Sequence, residues 1–431
     1  MADAPGDRGA ARPTQRPSRG EPRTERPEDR GTVALLALLL SIQPMSTDMY
    51  LPSMPGIAAG LGVSAASVQA TLSVYILGFA LTQLLAGPLS DRFGRRPVAL
   101  GGLAAYVAGS LLAAGSDSLA TLLVARVLQS VGTCCTTVCA RAIVRDRYEP
   151  ATGARRLSQA MSWVALMPLL GPIAGGVLAT GFGWRAAFVA MAAFALLALA
   201  VCLRELGESN REPQRDAMRP GPMLANYAAV ARSPTWLGFT LVGTAMYWGL
   251  FSFLAEASFV FGGVHGLSPS AFGLAIAAVT GGFLAGTLAV RRVLPRLGVR
   301  RTIAVATALA ATSGLAMLAL ALGGVVHVAA IVVPQCAFVF AHGLSQAAWQ
   351  AGSIAPFPRL AGTAAAATGF VQNVVAACAG LLIGRLHDGS ALPMAAMVAL
   401  GGCAAVLVSG TLVRRHGGVD AVPRATPSAA R

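Results

Sequence analysis

A chain of 431 residues in which 55% are hydrophobic and only 12% charged cannot cover its own surface with polar groups. A soluble domain carries about 25% charged residues, so an ordinary soluble enzyme or binding module is excluded and the bilayer is the natural solvent. The net charge of +15 comes from 33 basic residues that are all arginine; their placement between apolar runs excludes the nucleic-acid binding that such a charge would otherwise suggest.

In chain order, residues 1–31 are rich in arginine, proline and acids and are expected to form a disordered cytoplasmic tail. With seven arginines and six acidic residues in its first 30 positions, this stretch is neither a secretory leader nor an acid-poor transit peptide. A bilayer core takes about 20 apolar residues per helix. Runs of that kind lie near 33–54, 68–89, 97–115, 119–142, 158–180 and 186–203, giving an N-terminal bundle over 32–203. A polar cytoplasmic linker at 204–233 follows, and then six further runs near 235–260, 270–291, 301–322, 326–349, 363–384 and 391–413 form a C-terminal bundle over 234–413. Residues 414–431 are a cytoplasmic tail. The expected architecture is an all-α integral membrane protein of twelve helices in two pseudo-symmetric six-helix bundles, with lipid as its surroundings, and it is expected to act as a monomer.

The arginines give the orientation. Segments after spans 2, 4, 6 and 8 hold Arg92/Arg95/Arg96, Arg145/Arg147/Arg155/Arg156, Arg204/Arg211/Arg215/Arg219/Arg232 and Arg292/Arg296/Arg300/Arg301, while those after spans 1, 3, 7 and 9 hold none. The positive-inside rule then places both termini and the even-numbered loops in the cytoplasm. The halves also echo one another: Gly62-Val63-Ser64 answers Gly266-Leu267-Ser268, and Phe93-Gly94-Arg95-Arg96 answers Leu297-Gly298-Val299-Arg300-Arg301. A duplicated six-helix unit places its substrate site between the halves near mid-membrane.

Two acids, Asp48 and Glu256, fall inside apolar spans, where a carboxylate costs about 2.5–3.5 kcal/mol on insertion scales. Asp48 shares a face of span 1 with Ser41, Pro44 and Leu51; in span 4, Arg126 has Gln129, Thr133 and Thr137 along its face. At 1.5 Å per residue, Asp48 lies about 22 Å from the start of its span and Arg126 about 10 Å from the opposite surface, so the two share a depth and are expected to face one cavity. Low dielectric favours the neutral acid at Asp48 and a nearby arginine favours the carboxylate. Asp48 and Arg126 therefore read as a proton-coupling pair, or as a static ion pair between two helices. Glu256 follows Trp248 and Ser252 on one face of span 7, placed to meet a cationic substrate or interfacial water. Span 10 carries Gln335, His342 and Gln346 on one face, and span 11 carries Gln372 and Asn373. Such stripes line a cavity or bond neighbouring helices.

No cofactor or metal site is expected. His342 has no second ligand one turn away, and the seven cysteines lie in apolar stretches without ligand spacing and read as small packing residues. The five histidines are scattered and no catalytic signature appears, so an enzyme is not expected.

Several motifs resemble the major facilitator superfamily. Gly87-Pro88-Leu89-Ser90-Asp91-Arg92-Phe93-Gly94-Arg95-Arg96 is similar to that superfamily's G-x-L-a-D-r-x-G-R-K/R loop. In it, Gly87 and Gly94 permit close backbone approach and a tight turn, Asp91 pairs with arginines or a helix N-terminus, and Arg92, Arg95 and Arg96 complete a cluster that the resemblance implies is a gate. Arg126-x-x-Gln129-x-x-Gly132 resembles R-x-x-Q-G-x-G, departing at Ser130. Gly171-Pro172-x-x-Gly175-Gly176 resembles the antiporter motif g-x-x-x-G-P-x-x-G-G, with Met167 at its first glycine, and predicts a kinked, tightly apposed helix. Asp48-Met49-Tyr50-Leu51-Pro52-x-x-Pro55, Tyr75-Ile76-Leu77-Gly78 and Arg145-Asp146-x-Tyr148 narrow the resemblance to the Bcr/CflA drug-resistance transporters, the bicyclomycin and chloramphenicol exporters. The resemblance implies proton-driven export of small, moderately hydrophobic molecules across the bacterial inner membrane. Asp48 would be the proton carrier, and Tyr50, Tyr75, Gln129, Thr133, Trp248, Ser252, Glu256, His342, Gln346, Gln372 and Asn373 would be candidates for the substrate cavity. The same fold also serves export or import of an endogenous metabolite, and a non-transporting sensor or receptor is the alternative of another class.

Overall fold

The computed structural model describes residues 27–210 and 219–416; the expected tails therefore lie largely outside the described residues. Glycine and serine punctuate the chain in the same way in both halves. Gly62 and Gly266 both take φ 64°, and Gly94 and Gly298 take φ 100° and 74°, a left-handed backbone that glycine adopts without a Cβ penalty. Ser64 and Ser268, two residues after the first pair, each cap the next helix through a side-chain oxygen that accepts from a backbone N–H at 3.2 Å. All three pairs are 204 residues apart in sequence, so the repeat is structural.

Between these punctuation marks run the helices. α1 (Pro27–Asp48) continues after a short 3-10 turn (Leu51–Ser53) into α2 (Met54–Leu61); α3 (Ala65–Phe93), α4 (Arg95–Ala114) and α5 (Leu119–Arg147) follow. α6 (Pro150–Val164) and α7 (Met167–Phe182) make one crossing, and α8 (Arg185–Glu205) closes the first half. After α9 (Pro220–Ala231) come α10 (Pro234–Phe259), α11 (Pro269–Leu322), α12 (Val328–Ile354), α13 (Ala361–Leu386) and α14 (Leu392–Val408). Among the described residues, eleven helices are long and apolar enough to cross a membrane. One of them, α11, has 54 residues, which at 1.5 Å per residue is about 80 Å, more than twice a bilayer core. Gly298 breaks it, so the chain makes twelve crossings in two six-helix bundles. Large apolar side chains face outward around the molecule, Phe182 at 79% exposure and Leu407 at 67% among them, as a lipid-facing surface requires.

The linker at 204–233 contains a helix, α9, which starts at Pro220. Two expectations change. The break in the fifth crossing falls at Ala165–Leu166, six residues before the expected Gly171-Pro172 kink; Pro168 has no N–H to give to Val164, so the helix parts there. Cys378 and Cys403 are exposed, unlike the buried Cys134, Cys135, Cys139 and Cys202, so they are not packing residues.

The bundles meet along α3 and α13, from Gly384 at Gln69 to Gly369 at Gln83, and at the arginine-poor end through α7 and α11. Gly176 of α7 lies against the Pro269–Ser270 backbone, and Gly273 of α11 against Pro172. There the Thr180 and Ser270 hydroxyls are 2.9 Å apart, and Ser270 also donates to the Gly176 carbonyl at 3.2 Å. α5 and α12, by contrast, make no substantial contact.

Candidate functional site

α1 stops at Asp48, leaving its last carbonyls without helical partners. Arg126 of α5 serves them. Its Nη1 and Nη2 donate to the Ser46 carbonyl at 3.2 and 3.3 Å, and Nη1 also donates to Gln129 Oε1 at 2.8 Å. The guanidinium is fully buried, with Cζ 4.4 Å from the ring centroids of both Tyr50 and Tyr75. A cation at a helix C-terminus, sandwiched between two π-faces, is stabilised there without a carboxylate. The cage is then closed by its own hydrogen bonds. Tyr50 pairs with Thr71 at 2.5 Å, Tyr75 donates to Thr133 at 3.2 Å, and Gln129 donates to Ser110 at 2.8 Å. Gly132 of α5 against Gly102 of α4 brings the flanking helices close enough to seal it. Ser130, where the motif has glycine, sits against Gly78 of α3, which takes up the lost space.

Asp48 differs from this. It keeps partial exposure, its Oδ1 accepts from the Thr47 hydroxyl at 3.1 Å, and among the described residues it has no ion-pair partner. Gly171 of α7 lets the Asp48 turn approach, since a Cβ there would stand 3.3 Å from Asp48 Cβ, and Gly175 packs on the Met49 backbone. The expected Asp48–Arg126 pair is therefore corrected. The two side chains serve the same turn of α1, but Arg126 bonds the backbone and leaves the carboxyl free. Tyr50, Tyr75, Gln129 and Thr133 are likewise corrected from cavity wall to arginine cage, because each is fully buried inside the first bundle.

Across the interface, Tyr247 of α10 lies within electrostatic reach of Asp48. Behind it His342 of α12 stacks between Tyr247 and Phe283, with centroids at 6.4 and 5.8 Å. The second bundle also holds buried polar atoms without a protein partner: Trp248 Nε1, Ser252 Oγ, both amide atoms of Gln335 and His342 Nδ1. Buried polar groups are ordinarily paired, so each of these atoms has hydrogen-bonding capacity to spare. Gln346 and Gln372 are partly exposed and Asn373 is buried. Sequence reasoning missed Tyr247 and Phe283, which the stacking on His342 brings forward.

Glu256 is not a cavity or interfacial group. It is fully buried, accepting from Gln69 Nε2 of α3 at 2.5 Å and pairing with His387 Nδ1 just beyond α13.

At the arginine-rich end, Asp91 contacts Arg95 at 2.6 Å and Arg145 at 3.8 Å, while Arg95 Nε reaches Asp146 at 2.9 Å. Arg92 lies over the neighbouring Phe93 ring at 5.2 Å. Gly87 has no close neighbour, so its expected close approach is absent. The N-terminus of α4 is not met by Asp91. Glu208, which the sequence did not single out, accepts there from the Arg95 and Arg96 backbone N–H groups at 2.9 and 3.0 Å. Partial burial alone would raise the Glu208 carboxyl, but backbone N–H groups of Asn210, Arg95, Arg96 and Ser209 outweigh it and hold it below the usual range. A depressed carboxyl stabilises the fold above its unfolded value and loses that contribution as pH falls through the folded one. Glu208→Gln is expected to cost about 1 kcal/mol, as loss of a helix cap does. A thermal melt at neutral pH reads it, and the difference from wild type shrinks below about pH 4.

Among the described residues, no cluster of histidine, cysteine or acidic side chains is arranged to hold a metal ion. A family model described as Major Facilitator Superfamily matches residues 36–381. Multidrug resistance protein D of Escherichia coli (strain K12) is 31% identical over 346 residues, covering 79% of this chain and 85% of that protein. A bicyclomycin resistance protein homolog of Haemophilus influenzae is 27% identical over 380 residues, covering 87% and 94%. A mutant of the peptide transporter POT in complex with alafosfalin superposes with a TM-score of 0.73 at 17% identity, covering 90% of this chain and 95% of that one, a likeness of fold alone.

Proposed function

The chain belongs to the major facilitator superfamily, a family of membrane transporters and not of enzymes, and from that premise we propose that it exports small, moderately hydrophobic drugs or antibiotics in exchange for protons. The names of the relatives supply the cargo class. The observation that carries the coupling is Asp48, a partly exposed carboxyl without a basic partner among the described residues, at the broken end of α1. Tyr247 of the other bundle, itself stacked on His342, lies within electrostatic reach of it. Interrupted helices near a repeat interface are where transporters of this architecture bind cargo and ions. Asp48 and cargo compete for this space, and the two bundles, 32–203 and 234–413, rock about it. The arginine-rich end is cytoplasmic by the positive-inside rule, so the contacts at the other end close the site toward the outside. Oligomerisation is not required, since both halves of the site lie in one chain.

The test is a drug-susceptibility panel in a host lacking its own efflux pumps. Expression is expected to raise resistance to a subset of lipophilic drugs, and a protonophore to remove that protection. An unchanged panel would move the cargo to an endogenous metabolite. Resistance that survives the protonophore would exclude the proton as driving ion.

A further inference from the structure

Glu256 is the second carboxyl inside the apolar spans, and the transport site described above does not use it. It stands on α10 near the arginine-poor end and touches both bundles: Gln69 on α3 belongs to the first, His387 after α13 to the second. Gly384 of α13 has no side chain to hold α3 away, and a Cβ there would come within 2.7 Å of Gln69 Oε1. The carboxylate is fully buried, whereas the His387 side chain keeps 25% exposure. On the α13 side, Asp388 adjoins the pair and the exposed Arg385 stands in the last turn, two residues before His387. The Asp388 carboxyl is exposed and is held below its usual range by the Ser390 hydroxyl and backbone N–H. The α3 side contributes only the neutral Gln69 amide. His265, with His327 near it, lies beyond the end of α10.

The charge balance of this cluster differs between its closed and open forms. Buried as seen here, a carboxylate beside a neutral imidazole would carry an uncompensated charge, which a low dielectric strongly disfavours. One added proton makes the pair neutral overall, either as imidazolium with carboxylate or as imidazole with carboxylic acid. When the bundles part at this end, α3 withdraws Gln69 and water reaches the pair. In water the carboxylate is solvated and no longer needs a proton beside it to balance its charge.

We infer that the Glu256–His387 pair is a second proton site, a latch whose closure on Gln69 takes up one proton from the external solution and whose opening returns it there. This proton does not cross the membrane. It sets how readily the outer gate shuts, so external acid favours the form closed to the outside. The exposed His387 ring is the path by which the proton arrives. The inference rests on the alternating-access reading above, and the experiment separates the two.

Spin labels at Phe182→Cys and Val326→Cys, both strongly exposed at the arginine-poor ends of the two bundles, report gate opening by pulsed dipolar distance measurement. The native cysteines are replaced and the protein is held in nanodiscs. Asp48→Asn is present throughout, so that the first proton site is silent. The closed-to-open ratio is expected to rise on acidification, by up to about tenfold per pH unit, as one linked proton requires. Glu256→Gln, which can be buried without a proton, is expected to flatten that dependence. His387→Gln, which leaves Glu256 to carry the added proton alone, is expected to lower the closed fraction near neutral pH and to lower it less in acid. A Glu256→Gln slope equal to that of the parent, or a parent ratio indifferent to pH, overturns the latch. A single fixed distance in every variant overturns alternating access itself, and the latch with it.

Discussion

Replacing Asp48 with asparagine is expected to abolish substrate-driven proton release while leaving the protein folded in the membrane and able to bind cargo. The reasoning starts from where α1 ends. Its C-terminal carbonyls carry the negative end of the helix dipole, and the positive charge that answers them, Arg126, is bound to the Ser46 carbonyl and caged by Tyr50 and Tyr75. Asp48 is left with a hydroxyl from Thr47 as its only hydrogen-bond partner among the described residues. An unpaired carboxylate at bilayer depth costs about 2.5–3.5 kcal/mol, a discrimination of about 100-fold between charged and neutral forms. A conformation that strips water from Asp48 therefore takes up a proton, and one that lets cargo and water in releases it. Asparagine has the shape of the neutral acid and no proton to exchange. Adding substrate to the purified variant in weak buffer, with a pH-sensitive dye, reads the effect directly. Proton release at the wild-type level would move the coupling site away from Asp48.

What the sequence made legible, and what it hid, follows from the range over which each signal acts. Arginine spacing, apolar run length and the Gly62/Gly266 and Gly94/Gly298 pairs are local patterns, and they located the crossings and the repeat. Gly298 even divides a helix that is otherwise continuous from Pro269 to Leu322. Helical spacing also grouped Arg126, Gln129 and Thr133 correctly on one face, but it cannot say what that face meets. It meets the interior of its own bundle, which is why four expected cavity residues turned out to be its cage. Glu256 was conspicuous as a charge, yet its partners Gln69 and His387 are 187 and 131 residues away in sequence, beyond the reach of any periodicity. The same holds for Glu208. Its capping of α4 depends on the chain returning to that end after four further crossings, and nothing in the residues around position 208 announces it.

Arg126→Met is expected to reduce transport to background while changing stability by no more than about 2 kcal/mol, an unusual separation for a fully buried arginine. Two opposing quantities produce it. Removing the guanidinium leaves the Ser46 carbonyl and Gln129 Oε1 without their donor, at about 1–3 kcal/mol each, and forfeits two cation–π contacts worth up to about 2 kcal/mol each when desolvated. Against this stands the several kcal/mol that burying an unpaired cation costs, which methionine avoids while filling much of the same space. Stability is therefore nearly balanced. Function is not, because Arg126 is what ties α5 to the last turn of α1, two residues before Asp48. Without it the Met49–Tyr50 interruption loses its fixed height against Gly171 and Gly175 of α7. Lysine should not rescue transport, since one ammonium cannot reach Ser46 and Gln129 while lying flat between two rings. A melt in detergent and a transport assay in proteoliposomes on the same preparation measure both quantities. A methionine variant that transports at half the wild-type rate would show that the cage holds the bundle together without serving the cycle.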